Sequence, residues 1–290
     1  MKRVLIVGKN SYIGNCLEDW LTQKHINEYS VDKISVRDDE WKSLDLSKYD
    51  VILYLSGMVH IKEKKEMWPE YVRLNAELPF EFARKSKACG VPYFVFFSTK
   101  GVYRPNTEFI DKKTVPVPQK LYGNSKLEGE KNILTLANEN FKISVLRSPV
   151  VYGEGCKGNF PKLVDLSKRI HIFPRIYNKR SMIYIWNLCE FVRRLIEKPL
   201  PDPIVFPQDK DVFGVTDLMI ALWEERKEKY YLSYLLAFIV RLLLKLNVSK
   251  KLNTMFLDTV YENEMSSYYN YEYCVFSFRE AIKHILSSAE

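Results

Sequence analysis

Hydrophobic and polar positions follow two different rhythms along the first half of the chain. Continuous apolar runs predict strands buried on both faces, at residues 3–8, 32–37, 50–57 and 93–99 and from the start of 142–153. Between these runs, apolar residues at helical spacing predict helices over 11–23, 68–88 and 122–138. Repeated strand–helix–strand units with short connections predict an α/β fold built on a doubly wound parallel sheet.

The pattern weakens after Gly153, where helical spacing over 158–169 is followed by a short strand leading into a helix over 180–198. The last third is rich in aromatic and basic residues, which predicts a smaller lobe at the ligand-binding edge of the sheet. We therefore predict a Rossmann domain and a smaller C-terminal α/β substrate lobe; the first takes residues 1–152 and 179–206, the second 153–178 and 207–290.

The longest apolar stretch, "YLSYLLAFIVRLLLKL", covers residues 231–246. Arg241 and Lys245 interrupt it, and its uncharged part is too short to span a bilayer. We expect a helix that covers the core. The alternative is peripheral contact with a membrane, because a hydrophobic helix with basic neighbours can lie in the lipid interface.

Composition adds limits to this picture. A chain of 290 residues with 47% apolar residues can bury a sizeable core. The net charge of +8 is spread along the chain; it suits acidic small molecules or an anionic membrane, and predicts no nucleic-acid partner. The five cysteines are scattered without metal-ligand spacing, so we expect reduced thiols, a cytoplasmic location and no metal site.

The segment "VGKNSYIG" joins the first predicted strand to the first predicted helix. Gly8 permits a tight turn and Gly14 permits close packing of helix on strand, while backbone N–H groups at the helix N-terminus favour a pyrophosphate. The spacing resembles a G-x-x-G-x-x-G turn with Ser11 in the middle position. The segment predicts a dinucleotide site, and an ordinary strand–helix turn is the alternative.

The residues after the second predicted strand bear on the choice of cofactor. The strand ends "SVRDD", so Arg37 precedes Asp38. Arginine suits a 2′-phosphate, and Lys9 in the turn adds positive charge, so we expect NADP(H) in preference to NAD(H). In the alternative interpretation, Asp38 holds the ribose of NAD and Arg37 stacks on the adenine.

Tyr122 and Lys126, in "LYGNSK", are one helical turn apart and leave the same face of the predicted helix. The preceding strand ends at Thr99, and such strand ends meet the next helix at the cofactor crevice. A tyrosine has a pKa of about 10, which a nearby ammonium group is expected to lower. Thr99 can hydrogen-bond a substrate oxygen while the pair moves a proton on or off a substrate hydroxyl. Chance spacing on a surface helix is the alternative.

Together these segments resemble the extended short-chain dehydrogenases/reductases of the NAD-dependent epimerase/dehydratase family, which act on nucleotide sugars. The matching segments, in the family's order, are "GKNSYIG", "YLSG", Asn75, "FFSTKGVY", "YGNSK", "LRSPVVYGEG" and "RSMIYI". The resemblance implies that Thr99, Tyr122 and Lys126 form the catalytic trio and that the assembly is a homodimer paired through a helix bundle that includes the segment starting at Tyr122.

The same resemblance assigns binding residues. The implied cofactor contacts are Gly8, Ser11, Tyr12, Ile13, Gly14, Arg37, Asp38, Leu55, Ser56, Gly57, Asn75, Tyr122, Lys126 and Pro149. Asn159 and Arg180 are implied substrate residues; a guanidinium fits a pyrophosphate, although a surface salt bridge is the alternative for Arg180. His60 follows the third sheet strand and could meet the substrate or be a solvated loop histidine.

The resemblance leaves the reaction open. Dehydratases of the family carry an Asp-Glu pair after the catalytic threonine, but Lys100 and Gly101 stand there, which argues against dehydration. The expected NADP(H) preference favours a 4-keto reductase acting on a (deoxy)hexose nucleotide for polysaccharide biosynthesis. An NAD-dependent 4-epimerase is the first alternative. A non-catalytic dinucleotide-binding sensor or scaffold is the second, and the intact trio argues against it because binding alone needs no tyrosine–lysine pair.

Overall fold

A computed structural model describes residues 1–59, 62–105 and 107–288, without the side chains of Lys250 and Lys251. His60 lies outside the described residues. The strands are β1 (Lys2–Val7), β2 (Tyr29–Ile34), β3 (Val51–Tyr54), β4 (Tyr93–Thr99), β5 (Phe109–Ile110), β6 (Lys142–Ser148), β7 (Val150–Tyr152), β8 (Ile172–Pro174), β9 (Met182–Tyr184), β10 (Ile204–Val205), β11 (Tyr231–Ser233) and β12 (Val260–Tyr261).

The helices are α1 (Tyr12–Asp19), α2 (Trp68–Val72), α3 (Leu78–Ala88), α4 (Leu121–Leu134), α5 (Phe160–Arg169), α6 (Ile185–Glu197), α7 (Val215–Glu225), α8 (Tyr234–Lys245), α9 (Lys250–Phe256), α10 (Asn263–Ser266) and α11 (Phe278–Ser287). A π-helical turn, Trp20–Lys24, extends α1, and another, Arg73–Glu77, joins α2 to α3. The predicted helix over 68–88 is thus continuous and confirmed, with one wide turn inside it.

Three predicted boundaries are wrong. The second strand is shifted to 29–34, because its six residues pair with the whole of β1. Helix α4 ends at Leu134 because Asn138 and Phe141 exchange both backbone hydrogen bonds, at 3.1 and 3.2 Å, which turns the chain back. The strand predicted over 50–57 ends at Tyr54 as β3. The strand predicted to start at residue 142 is confirmed as β6, which ends before Pro149, a residue with no N–H to donate to a sheet ladder.

One sheet of six parallel strands, in the order β10-β6-β4-β3-β1-β2, organises the first half of the chain. β1 lies between β2 and β3, so the chain winds outward from it in both directions. This reversal is the switch point of a doubly wound sheet, and ligands bind at the carboxyl ends of the strands beside it. The predicted fold class is confirmed.

Contacts within the chain group it into two compact units. Unit 1 comprises Met1–Arg104, Val115–Pro149 and Leu188–Pro207, and it contains the whole six-stranded sheet. Unit 2 comprises Pro105–Thr114, Val150–Asn187 and Gln208–Glu290. Residues 105–114, 150–152 and 179–187, which the sequence analysis gave to the Rossmann domain, group with unit 2, and Pro207, which it gave to the lobe, groups with unit 1.

The core of unit 1 is made by the apolar strand runs. Leu5 and Val7 of β1, Tyr54 of β3 and Phe94 and Phe96 of β4 are all inaccessible to solvent. Buried apolar surface is the largest favourable term in folding, and this core fixes the strand ends that carry the polar residues of the site.

Unit 2 contains three parallel strand pairs, β7–β9, β8–β11 and β5–β12. One of its cores surrounds Trp223 of α7, which packs with Phe173 and Phe256. The predicted helix within 231–246 is present as α8, but most of its apolar side chains are exposed, so the expectation that it covers the core is wrong for that face. No helix within the described residues is long and apolar enough to cross a membrane.

Candidate active site

The turn between β1 and α1 is built around close backbone approaches. Gly8 has φ of +130°, and a Cβ there would lie 3.2 Å from the backbone nitrogen of Ser56. A Cβ at Gly14 would lie 3.1 Å from Cγ2 of Ile6. Each of these glycines therefore occupies a place where any larger residue would crowd its neighbour, as the sequence predicts for a turn that cradles a dinucleotide pyrophosphate.

Ser11 has a structural role in this turn. It is the N-cap of α1, and its Oγ accepts a hydrogen bond of 3.2 Å from the backbone N–H of Gly14. Tyr12 and Ile13 form the first turn of the helix that it caps. The serine at the middle glycine position thus stabilises the helix N-terminus to which an anion is expected to bind.

Arg37 and Asp38 lie beyond the end of β2, which stops at Ile34, and both are exposed. The carbonyl of Ile34 accepts hydrogen bonds from the backbone N–H groups of Gly8 (2.9 Å) and Lys9 (3.0 Å). These bonds tie the end of β2 to the glycine turn. Arg37, Asp38 and Lys9 therefore follow or belong to segments that meet where the adenosine end of a dinucleotide would lie.

The segment after β3 forms the next wall of the crevice. The N–H groups of Leu55 and Ser56 both donate to the carbonyl of Val7, at 2.9 Å. Gly57 follows, and a Cβ on it would lie only 2.6 Å from Oδ1 of Asn75. The same Cβ would lie 3.3 Å from Nζ of Lys126, so only glycine lets this segment lie so close to both side chains.

Asn75 lies in the π-helical turn between α2 and α3 and is completely buried. Its Oδ1 accepts a bond of 2.8 Å from the N–H of Met58, and its Nδ2 donates to the Met58 carbonyl (3.2 Å) and to Oγ of Ser125 (3.0 Å). The side chain thus links the segment after β3 to α4. These contacts indicate that Asn75 holds the segment after β3 and helix α4 in place relative to each other.

Two glycines allow α4 to pack closely against neighbouring segments, and the sequence analysis did not single them out. A Cβ at Gly123 would lie 2.2 Å from the carbonyl oxygen of Gly101, in the 3₁₀ turn after β4. A Cβ at Gly129 would lie 2.3 Å from the carbonyl oxygen of Asn75. Both distances are far below ordinary contact, so only glycine lets α4 lie this close to its neighbours. Their spacing of six residues around Lys126 is the signal that could have found them.

The N-terminus of α4 is capped from outside the helix. Oε2 and Oε1 of Glu63 accept bonds of 3.3 Å from the N–H groups of Leu121 and Tyr122. A carboxylate here offsets the positive end of the helix dipole. It also holds the segment that carries Tyr122.

The predicted trio is gathered in unit 1. Thr99 ends β4, and its Oγ1 accepts a 3.0 Å bond from the N–H of Gly101. Tyr122 and Lys126 leave α4 one turn apart. The Thr99 hydroxyl interacts with the Tyr122 hydroxyl strongly enough to oppose the rise in the tyrosine pKa. The structure thus brings together the strand end and the helix face that the sequence predicted to meet.

The expectation of an acidified phenol is wrong. Burial raises the pKa of Tyr122 to about 12, and the Thr99 hydroxyl opposes only part of that rise. Burial also lowers the pKa of Lys126 to about 8, against the effect of the Glu130 carboxylate. The Lys126 ammonium donates a 2.9 Å bond to the carbonyl of Phe97 and lies 4.5 Å from the centre of the Phe96 ring. The lysine is thus directed to the end of β4.

Behind the trio lies a buried charge network that sequence reasoning missed. Arg147 of β6 binds Glu130 of α4 through a 2.7 Å ion pair, and the side chains are 7% and 1% exposed. The Arg147 Nη1 donates to the hydroxyl of Tyr103 at 2.7 Å, and Ser98 Oγ donates to Glu130. The network connects α4 to β4 and β6, so it fixes the register of the helix against the sheet. In the sequence, the position of Glu130 one helical turn after Lys126 is the feature that could have indicated this network.

Pro149 is buried directly after β6. In the sheet, Ser148 of β6 is the register partner of Thr99 on β4, so Pro149 follows at the strand end next to the one that carries Thr99. This position agrees with the predicted contact near the nicotinamide, which stays a prediction.

The two implied substrate residues lie in unit 2. Asn159 is the exposed N-cap of α5 and makes no side-chain capping bond. Arg180 precedes β9, and its backbone N–H donates to the carbonyl of Phe213 at 3.2 Å. Burial lowers the pKa of Arg180, and no carboxylate among the described residues counteracts this effect. The salt bridge offered as its alternative role is therefore not seen in the part of the chain described.

Comparison with known proteins supports this interpretation of the fold. Human epimerase family protein SDR39U1, solved with NADPH, superimposes with a TM-score of 0.77 at 16% identity over 98% of this chain and 99% of its own. A dTDP-4-dehydrorhamnose reductase from Clostridium acetobutylicum gives a TM-score of 0.63 at 20% identity, covering 80% of this chain and 82% of its own. At these identities the likeness shows the fold.

Sequence comparison goes further. A UDP-glucose 4-epimerase from Vibrio cholerae is 28% identical over 221 residues, which are 68% of this chain and 67% of that protein. The family model described as "NAD dependent epimerase/dehydratase family" matches residues 4–205. The chain therefore belongs to the NAD dependent epimerase/dehydratase family. The resemblance drawn from the sequence is confirmed, and the protein is an enzyme of this NAD(P)-dependent, nucleotide-sugar type.

Proposed function

We propose that the protein reduces a 4-keto (deoxy)hexose nucleotide to the corresponding 4-hydroxy sugar, with NADPH as the reductant. The observation that carries the proposal is the convergence of Thr99, Tyr122 and Lys126 at the end of β4, where a Cβ on Gly57 would lie 3.3 Å from Nζ of Lys126. When bound, the dinucleotide supplies a hydride to the carbonyl carbon. The chain's own residues supply the proton, the orientation and the shielding from water.

The protonation states of the trio support the reducing direction. With a pKa raised to about 12, Tyr122 keeps its proton at neutral pH. A protonated phenol is ready to give that proton to the carbonyl oxygen as the C–O double bond becomes a single bond. Thr99 holds the same oxygen through its hydroxyl. Oxidation of a hydroxyl would instead require Tyr122 to lose its proton first.

The role of Lys126 in this scheme is to stabilise Tyr122 after it has given up its proton. With a pKa lowered to about 8, its ammonium group is charged at neutral pH, and it is already oriented by the Phe97 carbonyl. A positive charge one helical turn from Tyr122 stabilises the phenolate that proton donation leaves behind. Solvent then returns the proton to Tyr122.

The preference for NADPH rests on charge near the end of β2. Arg37 is exposed beyond that strand, and Lys9 is exposed in the turn bonded to it. Two cations suit a 2′-phosphate, whereas NAD would call on the carboxylate of Asp38 to hold the ribose hydroxyls. Gly8, Gly14 and the capped N-terminus of α1 would receive the pyrophosphate in either case.

In unit 2 we assign the substrate diphosphate to Arg180 and Asn159. A partly buried guanidinium without a carboxylate partner among the described residues is a strong receptor for a phosphate. The free Asn159 side chain at the N-terminus of α5 would add a neutral hydrogen-bond donor.

A 4-epimerase is the second candidate, because the Vibrio cholerae relative at 28% identity carries that name. It would oxidise the 4-hydroxyl and reduce it from the other face, so bound NAD would be regenerated in each cycle. The assembled trio argues against the sensor or scaffold alternative, because binding alone needs no tyrosine–lysine pair.

One experiment separates these functions. One sample of the purified protein is denatured and the released cofactor identified. A native sample is incubated with UDP-, dTDP- and GDP-linked 4-keto sugars and NADPH or NADH, and separately with the corresponding 4-hydroxy sugars. A reductase consumes NADPH stoichiometrically with the keto sugar. Release of tightly bound NAD together with interconversion of 4-hydroxy epimers, and no net NADPH oxidation, would overturn the reductase in favour of the epimerase. Cofactor binding without either reaction would support the sensor or scaffold alternative.

A further inference from the structure

Helix α8 presents an apolar face to solvent. Leu235 is 69% exposed, Phe238 66% and Leu242 49%. Nine of the nineteen large hydrophobic side chains that are exposed within the described residues lie between residues 231 and 248. Scattered apolar residues are ordinary on a protein surface, but a contiguous concentration of this kind marks an interaction surface.

The face is organised around the helix axis. At about 100° per residue, Leu235, Phe238, Ile239, Leu242 and Leu246 share one sector on the outer side. Ala237, the only buried residue of α8, lies on the opposite side with the partly buried Val240 and Leu244, which pack on the core around Trp223. The helix is therefore apolar on both sides, and only one of them is covered by its own unit.

The apolar surface continues onto the neighbouring strands. Tyr231 of β11 pairs in register with Ile172 of β8, and these two side chains are both more than half exposed. Tyr234, at the start of α8, lies under the guanidinium of Arg175 at 4.7 Å from the ring centre. An aromatic residue beside a cation is typical of a surface that meets both water and lipid.

The charge along this segment has one sign. Residues 229–257 contain five basic residues and no aspartate or glutamate: Lys229, Arg241, Lys245, Lys250 and Lys251. Arg241 and Lys245 are exposed and lie one turn apart on α8, at the border of the outer apolar sector. Their long side chains can reach beyond the apolar residues to an anionic layer.

We propose that α8 and the β8–β11 edge dock the protein on the surface of an anionic lipid bilayer. The helix lies in the interface with Leu235, Phe238 and Leu242 among the acyl chains and with Arg241 and Lys245 on lipid phosphates. Its 12 residues extend only ~18 Å, short of the ~30 Å hydrocarbon core. The helix lies on the membrane without crossing it.

Charge favours a bilayer over a second copy of the chain. A two-fold contact through this surface would place Arg241 and Lys245 of both copies in one interface, with no acidic residue in 229–257 to pair with them. An anionic bilayer satisfies the cations and the apolar face together.

The test is flotation of the full chain with vesicles of phosphatidylcholine alone and of phosphatidylcholine with phosphatidylglycerol in equal parts. We expect binding to the anionic vesicles, weakened by salt. Phe238→Ser with Leu242→Ser should reduce binding by about tenfold or more, because apolar burial supplies most of the affinity. Arg241→Ser and Lys245→Ser should each reduce it by about fivefold. All four side chains are exposed, so thermal melting should be unchanged.

The matched control is Val115→Ser with Val117→Ser, two apolar residues exposed in unit 1, which should bind vesicles as the unsubstituted chain does. The proposal is overturned if no vesicle binds the protein. It is equally overturned if the control pair and the α8 pair weaken binding alike, or if light scattering shows a dimer that Phe238→Ser with Leu242→Ser dissociates while vesicles still fail to bind.

Discussion

Helices α4 and α8 reverse the usual relation between residue type and burial, each in its own way. α4 buries Ser125, Lys126 and Glu130, which are polar or charged. α8 buries only Ala237 and exposes phenylalanine, leucine and isoleucine side chains. Both departures cost stability, since a buried charge loses hydration and an exposed apolar face orders water.

The difference between the two helices lies in what offsets that cost. Every buried polar group named on α4 has a partner within unit 1: Asn75 for Ser125, the Phe97 carbonyl for Lys126 and Arg147 for Glu130. The outer face of α8 has no such partner in its own unit among the described residues. A complete internal network indicates a site preorganised for chemistry, whereas an uncovered face indicates contact with something outside the chain.

The largest expected effect comes from the hydroxyl at the centre of the α4 site. Tyr122→Phe should lower turnover by roughly two to four orders of magnitude, because it removes the proton donor. Affinity for the dinucleotide, measured by fluorescence titration, should change little. Phenylalanine keeps the aromatic ring, so packing at this position is retained. Lys126→Arg is the comparison variant, because it retains the positive charge beside Tyr122. A Tyr122→Phe enzyme with most of its turnover would remove Tyr122 from the mechanism.

Next in size is the buried ion pair behind the trio. Arg147→Met should lower the free energy of unfolding by about 3–5 kcal/mol, because it leaves the Glu130 carboxylate buried without its charge partner. Urea denaturation measures the loss. Adding Glu130→Gln to Arg147→Met should restore part of it. If the double variant is less stable than Arg147→Met alone, the network stabilises α4 by packing and not by charge pairing.

The pKa of Lys126 predicts a pH dependence of stability. The folded-state pKa of about 8 lies below that of an unfolded lysine, so the unfolded chain binds more protons between these values. The unfolding free energy of the wild type, measured relative to Lys126→Met, should therefore rise from about pH 8 to about pH 10.5, by roughly 3 kcal/mol. Below pH 8 the difference should be constant. A difference that stays flat across the whole range would show that Lys126 is not desolvated.

The smallest expected effect concerns how closely α4 packs against its neighbours. Gly129→Ala places a Cβ where the Asn75 carbonyl oxygen would be 2.3 Å away, so the helix must shift. We expect a loss of about 1–3 kcal/mol, net of the gain in helix propensity. Lys131→Ala, on the exposed side of the same helix, is the control and should stay within about 0.5 kcal/mol of the wild type. Equal effects from the two substitutions would argue against the close approach.

The sequence analysis succeeded where local patterns decide the outcome. Runs such as "YFVFFST" identify buried strands directly, and the strand-end position of Thr99 follows from them. It failed where contacts between residues distant in the sequence determine the structure or the pKa of a site residue. Arg147, the partner of Glu130, is 17 residues away on strand β6, and the pKa of Tyr122 depends on burial that no spacing reveals. The sequence left two roles open for the segment 231–246, core covering and membrane contact, because an apolar helix looks the same in sequence whether its outer side is covered or exposed.

The order of the units along the chain bears on how the protein emerges from the ribosome. Unit 1 is interrupted twice, and its last sheet strand, β10, belongs to the segment Leu188–Pro207. The edge next to β6 therefore stays unpaired during synthesis until the unit 2 segment Val150–Asn187 and then β10 have been made. Newly made chains halted between Pro149 and Leu188 should expose an unfinished edge, the kind of surface to which chaperones and other nascent chains bind.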